Sequence, residues 1–294
     1  MNSSSAYWLF PNYTLCIVLV GTGLLGLSAG ALGSFILLRK QSLVGDALSH
    51  AALPGIALTF LATQSKNPLI LFCGGAITGT IGIFLMHLIV HKSSLKKDTA
   101  LGIILSVFFG FGLVLLTIIQ KYPLGNQSIL NKFLFGNAST LLHSDLWLIS
   151  MIFIIVTLVI ILFWKQFKLI AFDQNYLQSI KYPERTIEIL MTGSLILISV
   201  IGLQTVGVIL MSSLLIAPAA AARQWVVRLE YMVPLAGFIG ACCTIAGAIV
   251  SSYAHHVPTG PAIVLFLSSA VTASLLFSPR RGIVTAWLKN KTDF

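Results

Sequence analysis

The 294-residue chain predicts an all-α, polytopic membrane protein. Hydrophobic residues make up 57% of it and charged residues 9%, where a soluble domain carries about a quarter of its residues as charges. The apolar residues also gather into about nine runs, each close to the roughly 20 residues that span a hydrocarbon core. The polar stretches between runs reach only about 20 residues, too few to bury a core of their own. The whole of 1–294 is therefore expected to form a single transmembrane domain.

The first run, 14–38, precedes the first Lys or Arg of the chain, Arg39. Lacking a charged leading region, it is expected to be a retained span and not a cleaved signal peptide. The second, 43–63, carries Asp46, His50 and then Pro54-Gly55. The third, 68–91, ends in His87 and His91 beside Lys92, an arrangement that suits side chains snorkelling to the interface. The fourth run is 99–120, and the fifth, 144–164, starts beside His143, another residue expected at an interface. The sixth and seventh, 185–202 and 205–222, are separated by a break expected at 202–205, and Pro218 is expected to interrupt the seventh. The eighth is 231–251 and the ninth 260–277.

Small residues recur inside these runs at helix-packing spacing, as in Gly26-xxx-Gly30 and Gly75-xxx-Gly79, which predicts a packed bundle. Two connecting segments stand out. Residues 121–143 contain an apolar stretch at 128–135 that suits a short interfacial helix. Residues 171–183 contain a helix start at Asp173 and a stop at Pro183, as either a plain connector or a docking element for a soluble partner. Glu184, Glu188 and Glu230 flank helix ends and are expected to pair with Arg185 and Arg228, while Arg223 suits a partner protein or lipid head groups.

The net charge of +10 would point to nucleic acid in a soluble protein, but its placement follows the positive-inside rule. With the N-terminus outside, all eighteen Lys and Arg except Lys66, Lys121 and Lys132 fall in inner loops and the C-terminal tail. The expected orientation is N-out and C-in, with no nucleic-acid partner. The four cysteines, Cys16, Cys73, Cys242 and Cys243, lie in apolar runs without metal-binding spacing and read as small hydrophobes.

Asp46 and His50 carry the chemistry. Residues at i and i+4 share a helix face, so this carboxylate and imidazole can address one object. A charge near the bilayer centre costs roughly 2.5 to 3.5 kcal/mol on insertion scales, which makes the default reading a functional one. Oxygen plus imidazole nitrogen suits Mn²⁺, Fe²⁺ or Zn²⁺, and two ligands bind weakly enough for an ion in transit to leave. A structural pair, with Asp46 at a helix end and His50 on a backbone carbonyl, is the alternative. Pro54-Gly55 and Pro218 are expected to break their helices, which is tolerated only against protein or a water-lined cavity. His255 and His256, in the outer loop before Pro258, are either solvated loop residues or acceptors of incoming metal.

The segment Gly45-Asp46-Ala47-Leu48-Ser49-His50-Ala51-Ala52-Leu53-Pro54-Gly55 resembles the second-helix signature of the permease subunits of manganese/zinc/iron ABC importers. Phe135-Gly136-Asn137 with Asp145-Leu146, Ala171-Phe172-Asp173, Thr205-Val206-Gly207-Val208, Leu214-Leu215-Ile216-Ala217-Pro218-Ala219-Ala220 and Pro258-Thr259-Gly260-Pro261 match further blocks in the same order. The resemblance implies a bundle of the vitamin-B12-importer type, with eight to ten helices. It also implies a partner cytoplasmic ATPase, an extracytoplasmic metal-binding protein and a second permease copy or related permease in a bacterial inner membrane. On that basis 172–181 is the coupling helix, with Phe172, Asp173, Tyr176 and Leu177 facing the ATPase, and the metal residues are Asp46, His50, His255 and His256.

The implied function is import of Mn²⁺, Zn²⁺ or Fe²⁺ as cargo, with no permanently bound cofactor. The chain holds no G-x-x-x-x-G-K-[ST] sequence and so is not expected to be an enzyme. A self-sufficient secondary cation transporter or channel is the alternative, but Asp46 is the one clearly intramembrane carboxylate available for ion coupling. An intramembrane metalloprotease would want H-E-x-x-H, which is missing.

Overall fold

The computed structural model describes residues 13–65, 67–121, 141–172, 184–253, 257–279 and 282. They form ten helices: α1 Tyr13–Leu38, α2 Leu43–Thr63, α3 Pro68–Lys92, α4 Lys97–Lys121, α5 His143–Leu162, α6 Trp164–Phe172, α7 Glu184–Val206, α8 Val208–Trp225, α9 Leu229–Tyr253 and α10 Thr259–Phe277. Eight of these are long and apolar enough to cross a membrane. The expected seventh span, 205–222, overlaps α8, which is not among the eight, and the additional helix, α6, is too short to cross. Among the described residues there is no strand.

Small residues set the closest approach. α1 lies along α9, and a Cβ at Gly26 would stand 2.6 Å from both the Gly240 carbonyl oxygen and Thr244 Oγ1. Only glycine lets the two backbones meet there, which is how helices gain packing energy where lipid offers no hydrophobic drive. The apolar face of α2, with Ala47, Leu48, Ala51, Ala52, Leu53 and Ile56, is wholly buried at the centre of the bundle.

α1 and α2 are joined by a rigid turn. The Lys40 N–H donates to the Leu37 carbonyl and the Gln41 N–H to the Ile36 carbonyl, with Lys40 at φ 55°. That is the Schellman ending, here with lysine where glycine is usual, at a backbone cost of about 1 kcal/mol. The Val44 N–H then donates to the Gln41 carbonyl at 3.1 Å, so α2 starts with no slack after α1 stops.

Three expected breaks are corrected. α2 runs continuously through Pro54 and α8 through Pro218. Gly55 serves instead to let α2 close on α3, where a Cβ would collide with Thr78 Oγ1 and the Gly74 carbonyl. The break between the sixth and seventh spans falls at Gly207, with φ 91° and ψ 162°, a backbone region open essentially to glycine alone. The preceding helix therefore extends to Val206, past the expected end at 202.

The fifth span is also shorter than expected. It stops at Leu162, and Phe163 turns the chain into α6, a nine-residue helix that buries Phe167 and Ile170. The Phe35 ring of α1 makes edge contacts with Trp164 and Phe167, at centroid separations of 5.9 and 5.6 Å. Phe172 is the last described residue of α6. The remainder of the expected coupling helix, and the expected interfacial helix at 128–135, lie outside the described residues.

Candidate functional site

Asp46 sits in the first turn of α2, where the aligned peptide dipoles favour a carboxylate. His50 follows one turn later, and its Nε2 lies 3.4 Å from Asp46 Oδ1. The His50 side chain is 12% exposed and that of Asp46 29%, so the carboxylate looks out of the bundle while the ring is mostly enclosed. The imidazole stands edge-on to Phe109 of α4, with centroids 4.6 Å apart and planes at 74°. His50 Nδ1 is buried without a hydrogen-bond partner.

His50 lies beside the middle of α4. Phe109 is twelve residues from either end of α4 (Lys97–Lys121), or about 18 Å at 1.5 Å per residue. On the α3 side, Thr78 Oγ1 donates to the Ala52 carbonyl at 3.5 Å, which puts the middle of α3 beside the same stretch of α2.

A carboxylate oxygen and an imidazole nitrogen on one face make a borderline-hard donor pair, suited to a first-row divalent ion. Among the described residues no three His, Cys, Asp or Glu converge on a point that could hold a metal. Among the described residues, two side chains with metal-type donors meet here.

The other histidines do not join this pair. His87 Nδ1 lies 3.0 Å from the Ile83 carbonyl, one turn back on its own helix. His91 and His143 are exposed, and His255 and His256 lie outside the described residues, as do Asp173, Tyr176 and Leu177. Phe172 is exposed at the end of α6.

The acid–base pairs described reach beyond the cations near them in sequence. Glu188 of α7 bonds Arg39, with Arg39 Nη2 to Glu188 Oε1 at 3.0 Å and the Arg39 side chain 4% exposed. Glu230 of α9 bonds Lys168 of α6 at 2.8 Å. Lys168 first, and Arg228 as expected, attract the Glu230 carboxylate, while the side chains of Glu184 and Arg185 lie outside the described residues. Arg223 donates to the Val227 carbonyl at 2.8 Å, closing the loop between α8 and α9. Neither Phe109 nor the Arg39–Glu188 contact was signalled by spacing, since each joins segments far apart in the chain.

The family model described as "ABC 3 transport family" matches residues 12–278. The chain is 42% identical over 276 residues to the zinc transport system membrane protein TroC of Treponema pallidum, covering 94% of this chain and 93% of that protein. It is 45% identical over 266 residues to the manganese transport system membrane protein MntC of Bacillus subtilis, covering 90% of this chain and 61% of that longer protein. Among solved structures, PsaBC from Streptococcus pneumoniae in complex with Fab superposes with a TM-score of 0.84 at 31% identity, over 95% of this chain and 96% of that one.

Proposed function

From the premise that this chain belongs to the ABC 3 transport family, we propose that it is the permease subunit of an importer that carries Mn²⁺ or Zn²⁺ through the Asp46/His50 face. The observation that carries the reading is the pair itself: a carboxylate oxygen and an imidazole Nε2 3.4 Å apart on one helix face, with the imidazole beside Phe109 in the middle of α4. The named cargoes of the relatives, zinc and manganese, are both ions for which this donor pair is suited.

Two donors per chain make the site a way-station and not a trap. Capture would be left to an extracytoplasmic metal-binding protein, and a second permease copy facing Asp46 would supply the missing ligands. Energy would come from a separate cytoplasmic ATPase seated against the segment that follows Phe172, with Asp173, Tyr176 and Leu177 as contacts. His255 and His256 would meet the ion as it arrives. The distribution of basic residues supports placement in a bacterial inner membrane with the N-terminus outside and the C-terminus in the cytoplasm.

The test is manganese and zinc uptake by proteoliposomes containing the permease, its ATPase and the binding protein. Uptake should stop when the ATPase's phosphate-binding lysine is replaced. Uptake that continues without ATP hydrolysis would overturn the reading in favour of a secondary transporter.

A further inference from the structure

Arg39 occupies an unusual position for a charged residue. It is the last residue before the Schellman turn, its side chain is almost wholly buried, and it bonds Glu188 while its other terminal nitrogen lies 4.0 Å from Met191 Sδ. Both contacts are on α7, the helix that follows the 173–183 segment. One turn earlier on α1, Phe35 is gripped by Trp164 and Phe167 of α6, the helix that precedes the same segment. The two flanks of 173–183 therefore converge on successive turns at the end of α1.

From that point the chain has little freedom before it reaches the metal-type pair. Backbone hydrogen bonds close the turn from Ile36 through Val44, and Asp46 follows two residues later on the same helix. A shift of α7 that drags Arg39 must rotate or translate the start of α2 with it. Beside the contact lies a cavity of about 30 Å³, room for a water molecule or two, lined by Gln41, Val44, His87, Asp98, Glu188 and Met191 among others.

We propose that Arg39, held by Glu188, is the positioning residue that transmits movement of the ATPase-docking segment to the Asp46/His50 face. This rests on the reading of 173–183 as the ATPase contact. Buried ion pairs repack between discrete states in other switching proteins, and an arginine fork loses geometry as well as charge when replaced. A simple strut would hold α1 to α7 and do nothing more; a transmitter would also set how many ions move per ATP.

The experiment measures ATP hydrolysis and manganese uptake side by side in proteoliposomes of the full complex, for wild type, Arg39→Gln, Glu188→Gln and the charge-swapped double variant Arg39→Glu/Glu188→Arg. The Arg39→Gln complex should assemble and hydrolyse ATP at the wild-type basal rate, while ions moved per ATP fall about tenfold, a size typical of a lost coupling contact. Glu188→Gln, which keeps an acceptor oxygen, should fall less, and the swap should recover a substantial part of the ratio.

A wild-type ratio in Arg39→Gln overturns the proposal. So does a swap that restores assembly and thermal stability but not the ratio, because that is the signature of a strut. If Arg39→Gln does not fold, a wild-type ratio in Glu188→Gln overturns it as well. Failure of the underlying reading is recognised separately, by a wild-type complex that shows no ATP-driven manganese uptake or does not bind the ATPase.

Discussion

The His50 imidazole stands edge-on to the Phe109 ring at a centroid separation of 4.6 Å, leaving Nε2 towards Asp46 and Nδ1 without a partner. The aromatic contact orients the ring without using either nitrogen. That is a suitable way to hold a ligand that must bind and release an ion, since a hydrogen bond would compete with the metal.

Asp46→Ala should abolish manganese and zinc uptake while leaving the complex assembled. Asp46 is part exposed and lies 3.4 Å from His50 on its own helix, so stability should change by no more than about 0.5 kcal/mol. Uptake assays with matched membrane expression check this, and full transport by the variant would remove Asp46 from the site.

Phe109→Ala should lower uptake about 3- to 10-fold without abolishing it. An aromatic edge contact is worth about 0.5–1.5 kcal/mol, and its loss lets the His50 ring leave the ligating rotamer. Phe109→Tyr, which keeps the ring, should transport nearly as wild type. The comparison of the two variants separates ring orientation from general packing.

Gly26→Ala should destabilise the bundle by about 1–3 kcal/mol, because the new methyl would be driven against the Gly240 backbone and Thr244. Gly193→Ala is the control: a Cβ there meets nothing within 4 Å, and loss of glycine's backbone freedom should stabilise α7 by about 0.5–1 kcal/mol. Thermal unfolding in detergent reads both, and the two shifts should have opposite signs.

Replacing Asp173 or Tyr176 with Ala should weaken association with the ATPase and leave metal binding by the permease unchanged. Copurification measures the first and calorimetric titration with Mn²⁺ the second. Wild-type copurification of both variants would relocate the ATPase contact.

Much of the bundle was legible because membrane helices obey simple local rules. Spans announce themselves by length and apolarity, and the i, i+4 spacing of Asp46 and His50 put them on one face before any neighbour was known. The failures are instructive in the same terms. Pro54 reads as a helix break, yet α2 passes through it, since a single missing N–H is tolerated when the surrounding helices hold the segment in place. The true break, at Gly207, is invisible to hydropathy because it depends on a backbone angle. Glu188 was matched to a cation near it in sequence, while its partner, Arg39, is 149 positions away.

The sequence by itself determined that this chain crosses a membrane many times, carries a metal-type donor pair on one helix, and falls among permeases, because these follow from composition, spacing and ordered motifs. Only the tertiary structure decided that the pair lies beside the middle of α4, that Phe109 holds the imidazole, and that α6 and α7 both bear on the end of α1. Those facts depend on which helices pack together. Packing is set by the shapes of surfaces far apart in the chain, such as the glycines that let α1 meet α9, and not by the order of residues along any one helix.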